Sequence, residues 1–515
     1  MALDKRIVAI LIVLATAAAG ALLYITRLGM GLSFDPVVYL TVARNILAGR
    51  GITQGGQVLT HFPPLYPLLL ALSGRVAGEL DLGARLLHAL LWGANTLVVG
   101  LIVYRTTSGR AWPAILASAL MLLSPVMFEI HASALSEPTF LLLALLSLWL
   151  LQRYQALQRR TTLWLSAVLA ALAFLTRYVG GTLLVTALLW LVIDRASPLR
   201  QRLHDALQFG LVSGLPMTAW MVSGLRSTGR AANRTLYWHP VTIEHLAETL
   251  ESFSLSVAPD GGGRLIWGAL MVVTCLAMVA CLGVALTRAR QKGAPLIARD
   301  KSPLLYALFA LVYYVGVVAS ISLFDALTPF STRILSPVYV ALLITVLASV
   351  GLLTRTASSA LRTMSLLPFA ALAIVYALHG VPAARDAHLN GQGWAHRRYQ
   401  ESEFVRYVRA LPPQVPLLTN NRNMLYLLTG RSGTQLAQKY NPITLRPDSR
   451  YPRLWERSVA EFRNRDGLVV YVAAGDPKEY QLTLDELLAV ARFRVLLETQ
   501  EGVVLQPLRK SDSQP

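Results

Sequence analysis

Cysteine is nearly absent from this 515-residue chain: there are two, Cys275 and Cys281, both inside one apolar run. A disulfide framework or a cysteine metal site is therefore excluded as the basis of the fold, and packing against neighbouring helices is the role left to both. Charge is scarce too. Only 15% of residues are charged, and acid is scarcer than base, with 28 Asp and Glu against 47 Lys and Arg. A chain with 54% apolar residues and a mean hydropathy of +0.50 is not an ordinary soluble domain. The net charge of +19 is spread over short connections and forms no single stripe, which excludes nucleic acid as the partner. Tandem repeats and low-complexity stretches are also missing.

What is present is a succession of apolar segments. A helix crossing the hydrocarbon needs roughly 17–25 mostly apolar residues. Eleven segments qualify, near 7–27, 83–104, 112–130, 137–151, 161–176, 178–193, 206–224, 265–287, 303–324, 334–353 and 363–380. Basic residues fall mainly in alternate connections: Lys5 and Arg6, Arg105 and Arg110, Arg153, Arg159 and Arg160, Arg195, Arg200 and Arg202, the run 288–301, and Arg355 and Arg362. By the positive-inside rule these mark the cytoplasmic side. The sequence thus predicts an α-helical polytopic protein of the plasma (inner) membrane with about eleven spans, a cytoplasmic N-terminus and external loops at 28–82 and 225–264. The first apolar run follows Lys5 and Arg6 as a secretory signal would, but it is long for one and reads as a retained span.

At His379-Gly380-Val381-Pro382 the composition changes. Residues 1–380 are expected to form the membrane unit and 381–515 a soluble external domain. In this tail the apolar runs Val415-Pro416-Leu417-Leu418 and Gly467-Leu468-Val469-Val470-Tyr471-Val472 alternate with helical stretches around 400–410, 452–464 and 482–491. Val495-Leu496-Leu497 and Gly502-Val503-Val504-Leu505 read as a closing strand pair. A small C-terminal α/β domain is predicted.

The chemistry-bearing residues gather on the external side. Asp35-Pro36 is a standard helix start, with Asp as the N-cap; a helix N-terminus also stabilises an ionised carboxylate. Tyr39 lies one turn on, and His61-Phe62-Pro63-Pro64-Leu65-Tyr66-Pro67 brings the loop rigidly back to the membrane. Arg177 and Arg333 stand at the external ends of two spans, where a cation needs a partner, a cavity or a route to the headgroups. Glu129, His131 and Glu137 share one short external turn. Two carboxylates and an imidazole suit a divalent cation or the orientation of an acceptor, though their spacing matches no strong metal motif. The stretch from Thr242 to Leu250 is amphipathic and suited to the membrane surface.

These landmarks, taken in order, resemble the polytopic glycosyltransferases of the C superfamily (GT-C), near the protein O-mannosyltransferase and lipid A aminoarabinose-transferase group. They are Asp35, Tyr39 and Ala43, then Pro63 to Pro67, Ser136-Glu137-Pro138, Leu175-Thr176-Arg177, and Arg333-Ile334-Leu335-Ser336-Pro337, with Leu418 to Arg431 in the tail. Many relatives carry Asp-Glu where this chain has Asp35-Pro36. The resemblance implies a polyprenyl-phosphate-linked sugar as donor and a cell-envelope glycan, lipid or protein as acceptor. A phosphate leaves as a stable anion and asks for positive charge rather than a proton. One carboxylate then suffices where a glycosidase needs two. Asp35 is the expected general base of an inverting transfer. Arg177, Arg333, Tyr39, His61 and Tyr66 are the expected contacts of the donor phosphate and sugar; Glu129, His131 and Glu137 are expected to serve acceptor or metal. The competing class is a lipid or glycolipid transporter or flippase, for which internal repeats and helices broken at the midplane would be expected.

Overall fold

The computed structural model describes residues 4–54, 56–193, 197–232, 235–257, 264–291, 301–325, 327–441, 446–447, 450–473 and 482–508. Most of the basic run 288–301, together with residues 233–234 and 258–263 of the second external loop, lies outside them. The chain divides into two units. Unit 1 comprises 1–30 and 39–389; unit 2 comprises 31–38 and 390–515.

Unit 1 is helical. Its helices are α1 (Lys5–Ile25), α2 (Phe34–Leu47), α3 (Leu65–Ala77), α4 (Leu80–Thr106), α5 (Ala111–Leu123), α6 (Pro125–Ala132), α7 (Glu137–Leu157), α8 (Arg160–Thr176), α9 (Gly181–Ile193), α10 (Leu199–Thr228), α11 (Ile243–Leu255), α12 (Arg264–Gln291), α13 (Ser302–Phe324), α14 (Thr332–Leu353), α15 (Ser359–Met364) and α16 (Leu367–Asn390). The first residues of α2 belong to unit 2, and a two-residue hairpin of β1 (Thr53–Gln54) and β2 (Gln57–Val58) follows that helix. The helix starts are written in the sequence: Ser124 and Ser331 accept from the amides of Met127 and Ile334, each at 3.4 Å, and Pro125 and Pro138 stand in first turns where no N–H partner is needed. The Ser124-Pro125 junction bends α5 against α6 by 53°.

Trp92, Met127, Phe140, Phe209, Tyr313 and Ile344 are among the side chains sealed inside this unit. Outward-facing residues are apolar as well: Val76 is 81%, Leu90 72% and Leu378 67% exposed. In water such a surface is unstable; in hydrocarbon it is what a spanning helix presents. Lipid gives helices no hydrophobic drive to associate, so close approach matters. A Cβ on Gly93 would lie 2.9 Å from the Ala15 carbonyl, and one on Gly100 would collide with Ser118 Oγ, so these glycines let α1 and α5 close on α4.

Among the described residues six helical stretches are long and apolar enough to cross a bilayer: α1, α4, α7, α13, α14 and Ser359–Asn390. The bent pair α5 and α6, counted as one span, is a seventh. The other four segments expected from sequence also lie in helices. However, α8 and α9 are short, α10 opens on Arg200, Gln201, Arg202, His204 and Asp205, and in α12 the part registering as apolar among the described residues is Met271–Cys281. A further difference concerns 379–382. The change in composition marks a change in polarity and not the end of a helix: α16 runs through Pro382 to Asn390, and the unit boundary falls after Leu389.

Unit 2 is built on a five-stranded sheet of order β4-β3-β5-β7-β6: β3 (Leu417–Thr419), β4 (Thr434–Gln435), β5 (Leu468–Val472), β6 (Phe493–Thr499) and β7 (Gly502–Pro507). β3 runs parallel to β4 and β5, while β7 is antiparallel to both β5 and β6. Its helices are α17 (Arg397–Gln400), α18 (Glu403–Ala410), α19 (Arg422–Thr429), α20 (Tyr451–Asn464) and α21 (Leu484–Val490). β5 is apolar without alternation because both its faces are covered. Val470 and Val472 pack with Phe404, Val405, Met424 and Leu425; Val469 and Tyr471 pack with Trp455, Val459 and Leu487. Asn420 ties the ends of the parallel pair, accepting from Val472 N at 2.8 Å and donating to Val472 O at 2.9 Å.

Candidate active site

Polar groups from four elements meet at one end of unit 1. Glu137 occupies the first turn of α7, where the helix dipole favours an anion. Arg177 ends α8 in an extended conformation, its amide bonded to Ala173 O at 3.0 Å. The chain then reverses through a tight turn at Tyr178–Gly180, where a Cβ on Gly180 would meet the Phe174 backbone nitrogen at 2.5 Å. Arg333 lies in the first turn of α14, set by the Ser331 cap. Tyr39 comes from α2.

Glu137 Oε1 accepts from both cations, Arg177 Nη1 at 2.6 Å and Arg333 Nε at 2.5 Å. The carboxylate side chain is 1% accessible, whereas Arg177 keeps 15% and Arg333 21%. The acid is thus a sealed anchor, and each guanidinium retains an open edge. Ser136 Oγ accepts from Arg177 Nη1 at 3.1 Å and shares a 3.1 Å hydrogen bond with Tyr39 Oη. Among the described residues Arg177 Nε is buried without a hydrogen-bond acceptor. An unsatisfied buried donor is costly, and Arg177 Nε is the unspent donor of this cluster.

A buried aromatic and imidazole layer supports Tyr39. The rings of Phe62 and Tyr66 lie 4.8 and 5.0 Å from it, Tyr66 nearly perpendicular at 87°. His88 Nδ1 faces the His131 carbonyl at 2.8 Å, and His131 Nδ1 faces the Met127 carbonyl at 2.8 Å. A carbonyl only accepts, so Nδ1 of each ring carries the proton and each Nε2 is an acceptor. Tyr66 Oη therefore donates to His88 Nε2 at 2.7 Å, and Asn95 Nδ2 donates to His131 Nε2 at 3.2 Å. Trp92 stacks on His131 with 5.4 Å between centroids.

Several expectations change accordingly. Tyr66 is fully buried and Tyr39 2% exposed, and both hydroxyls are engaged by neighbouring side chains. Glu129, His131 and Glu137 do not converge on a cation. His131 has both ring nitrogens engaged, Glu129 is exposed and accepts from Thr332 Oγ1 at 2.7 Å, and Glu137 is held by the arginines. Among the described residues no group of three metal-ligating side chains gathers. His61 is half-buried, its ring edge-on to Phe62 at 4.7 Å. Asp35, expected as an N-cap, lies inside the first turn of α2, half-buried, one turn before Tyr39. His88 was not singled out from the sequence, and Ser136 was named only within the Ser136-Glu137-Pro138 landmark. A hydroxyl beside the acid that opens α7, and a histidine in the middle of an apolar span, were the available signals.

This architecture resembles that of the polytopic C-superfamily glycosyltransferases. Over residues 61–220 the chain matches the family model described as dolichyl-phosphate-mannose-protein mannosyltransferase. An uncharacterized protein of Aquifex aeolicus is 27% identical over 182 residues, 34% of this chain, and the match spans about a third of that relative's length, 36%. Among solved structures, ArnT from Cupriavidus metallidurans in the apo state superposes with a TM-score of 0.59 at 14% identity, covering 98% of both chains. Its complex with undecaprenyl phosphate gives 0.57 at 14% identity, over 97% of this chain and 98% of that one. The archaeal oligosaccharyltransferase AglB from Archaeoglobus fulgidus, bound to an inhibitory peptide and a dolichol-phosphate, gives 0.52 at 10% identity over 91% of this chain and 69% of its own.

Proposed function

We propose that the chain is an inverting glycosyltransferase that moves a sugar from a polyprenyl-phosphate donor to a cell-envelope acceptor on the extracytoplasmic face of the plasma membrane. The observation that carries this reading is the Glu137 clamp. One sealed carboxylate holds two guanidiniums at 2.6 and 2.5 Å, and Arg177 Nε awaits an acceptor. Two oriented cations of limited freedom suit a phosphate that must be bound and then stabilised as it leaves. The fold is shared with ArnT, solved with undecaprenyl phosphate, and with AglB, solved with a dolichol-phosphate.

In the proposed step the acceptor oxygen attacks the anomeric carbon as the bond from that carbon to the phosphate oxygen breaks. The phosphate departs with the electron pair toward Arg177 and Arg333, and the acceptor proton goes to Asp35. The role of Asp35 rests on the sequence resemblance. In this reading the eleven apolar segments are all membrane crossings, the N-terminus is cytoplasmic, and unit 2 faces the outside.

The test is transfer or donor hydrolysis by the purified chain in lipid, with a panel of polyprenyl-phosphate sugars, for wild type, Asp35→Asn and Arg177→Gln. Turnover of one donor, abolished in Asp35→Asn and shifted to a higher donor KM in Arg177→Gln, is expected. Absence of turnover with every donor, with and without envelope extract, would overturn the proposal in favour of a lipid carrier.

A further inference from the structure

The other end of unit 1 holds a second pair of cations. Trp149 of α7 has two guanidiniums over its ring: Arg105, from the last turn of α4, with Cζ 5.4 Å from the centroid, and Arg153, one turn further along α7, at 5.7 Å. Along α7, at about 1.5 Å per residue, Arg153 lies about 24 Å beyond Glu137, so the two arginine pairs are separated by most of a hydrocarbon thickness. Arg110 shares this end, bonded to the carbonyls of Gly351 and Arg355 at 2.9 Å each.

No carboxylate serves Arg105 or Arg153 among the described residues, and Arg105 Nε is buried with no acceptor. Asp205, which Tyr154 next to Arg153 bonds through Oη at 2.5 Å, is buried and already paired with Arg160. Two like charges drawn to one indole, with an unsatisfied buried N–H, leave a place for an anion that none of the described residues fills. Tryptophan and arginine at the end of a span are placed for the headgroup layer.

We propose that Arg105, Arg153 and Trp149 form a binding site for the phosphate of an anionic phospholipid headgroup. The phosphate oxygens accept from the two guanidiniums, and the acyl chains lie along the apolar flank of α7.

The test is native mass spectrometry of the full-length protein, titrated with phosphatidylglycerol or phosphatidylcholine, for wild type, Arg105→Gln/Arg153→Gln and Arg159→Gln. Arg159 is an exposed arginine of the same end and controls for charge alone. Wild type is expected to retain one phosphatidylglycerol in preference to phosphatidylcholine, with about tenfold weaker retention in the double variant and no change in Arg159→Gln. Equal retention of both lipids, equal retention by the double variant, an equal loss in Arg159→Gln, or displacement by equimolar inorganic phosphate would each overturn the proposal. Should the double variant fold poorly, the single Arg153→Gln is expected to melt as wild type without lipid and to lose the upward shift that phosphatidylglycerol gives wild type. An undiminished shift counts against the site.

Discussion

Replacing Glu137 by Gln removes the one charge that both Arg177 and Arg333 grip, and the structure sets the size of the effect. The carboxylate is 1% accessible with its partners at 2.6 and 2.5 Å, so water does not step in when the charge is lost. At an effective dielectric of about 20, each contact is worth on the order of 4 kcal/mol of Coulomb energy at 4 Å, much of it offset by desolvation of the ions. Breaking a buried pair by neutralising one member costs about 3–5 kcal/mol, because the surviving cations are left in low dielectric. Glu137→Gln should therefore lower the apparent unfolding free energy by about that much, measured by mixed-micelle denaturation of the full-length protein. Glu137→Asp keeps the charge on a shorter stem and should fall between the two. A second signature separates a clamp from two independent pairs. Arg177→Gln and Arg333→Gln share one carboxylate oxygen, so their double-mutant cycle should show a coupling of about 0.5–3 kcal/mol. A loss below about 0.5 kcal/mol for Glu137→Gln, within the range of an inconsequential surface change, together with additive arginine variants, would refute the reasoning.

Tyr66→Phe leaves the His88 acceptor unsatisfied in a dry layer and should cost about 1–3 kcal/mol in the same assay, with the donor KM affected less than in Arg177→Gln. Gly100→Val drives a side chain into Ser118 and Leu11, so α4, α5 and α1 cannot close; detergent-solubilised yield should collapse, and a normal yield would show that the helices adjust. In unit 2, Glu486 caps α21 through Thr483 and pairs with Lys439 at 2.5 Å. Burial pushes its carboxyl up, but Lys439 and the Thr483 hydrogen bonds outweigh this and hold it below its ordinary value. A depressed carboxyl contributes stability that is present above the unfolded pKa of about 4.3 and is lost as pH falls through the folded value. Hydrogen exchange of unit 2 should therefore show Glu486→Gln weaker than wild type at pH 7 by about 1 kcal/mol, discounted for its 46% exposure. The gap should close in acid, and a gap that widens there would reverse the assignment.

The parts of this molecule legible in its sequence are those dictated by local physics. The strand pair foreseen at 495–497 and 502–505 falls within β6 and β7, and the helices foreseen around 452–464 and 482–491 correspond to α20 and α21, because periodicity and turn residues are short-range signals. The short strand β4 escaped notice, since two polar residues gain their strand character from pairing with β3. At the site, Arg177, Arg333 and Glu137 stood out as charges at the ends of spans, yet their partnership did not. Glu137 was grouped with Glu129 and His131, its neighbours in sequence, whereas in space it belongs to two arginines far along the chain, Arg177 and Arg333. Tyr66 is a similar case: the resemblance implied a donor contact, and only the packing of α4 reveals that His88 takes its hydroxyl.

The order of strands in unit 2 bears on how the chain is made. β5, the middle strand, has one neighbour that precedes it by some fifty residues and another, β7, that ends at residue 507. Until that residue leaves the ribosome, β5 has an unpaired edge flanked by apolar faces on both sides, the kind of surface that recruits foreign strands. Unit 2 can therefore complete its sheet only once β7 has been made. A chain stopped before β7 would expose an edge that chaperones and proteases recognise, so that premature termination is read directly as a folding defect.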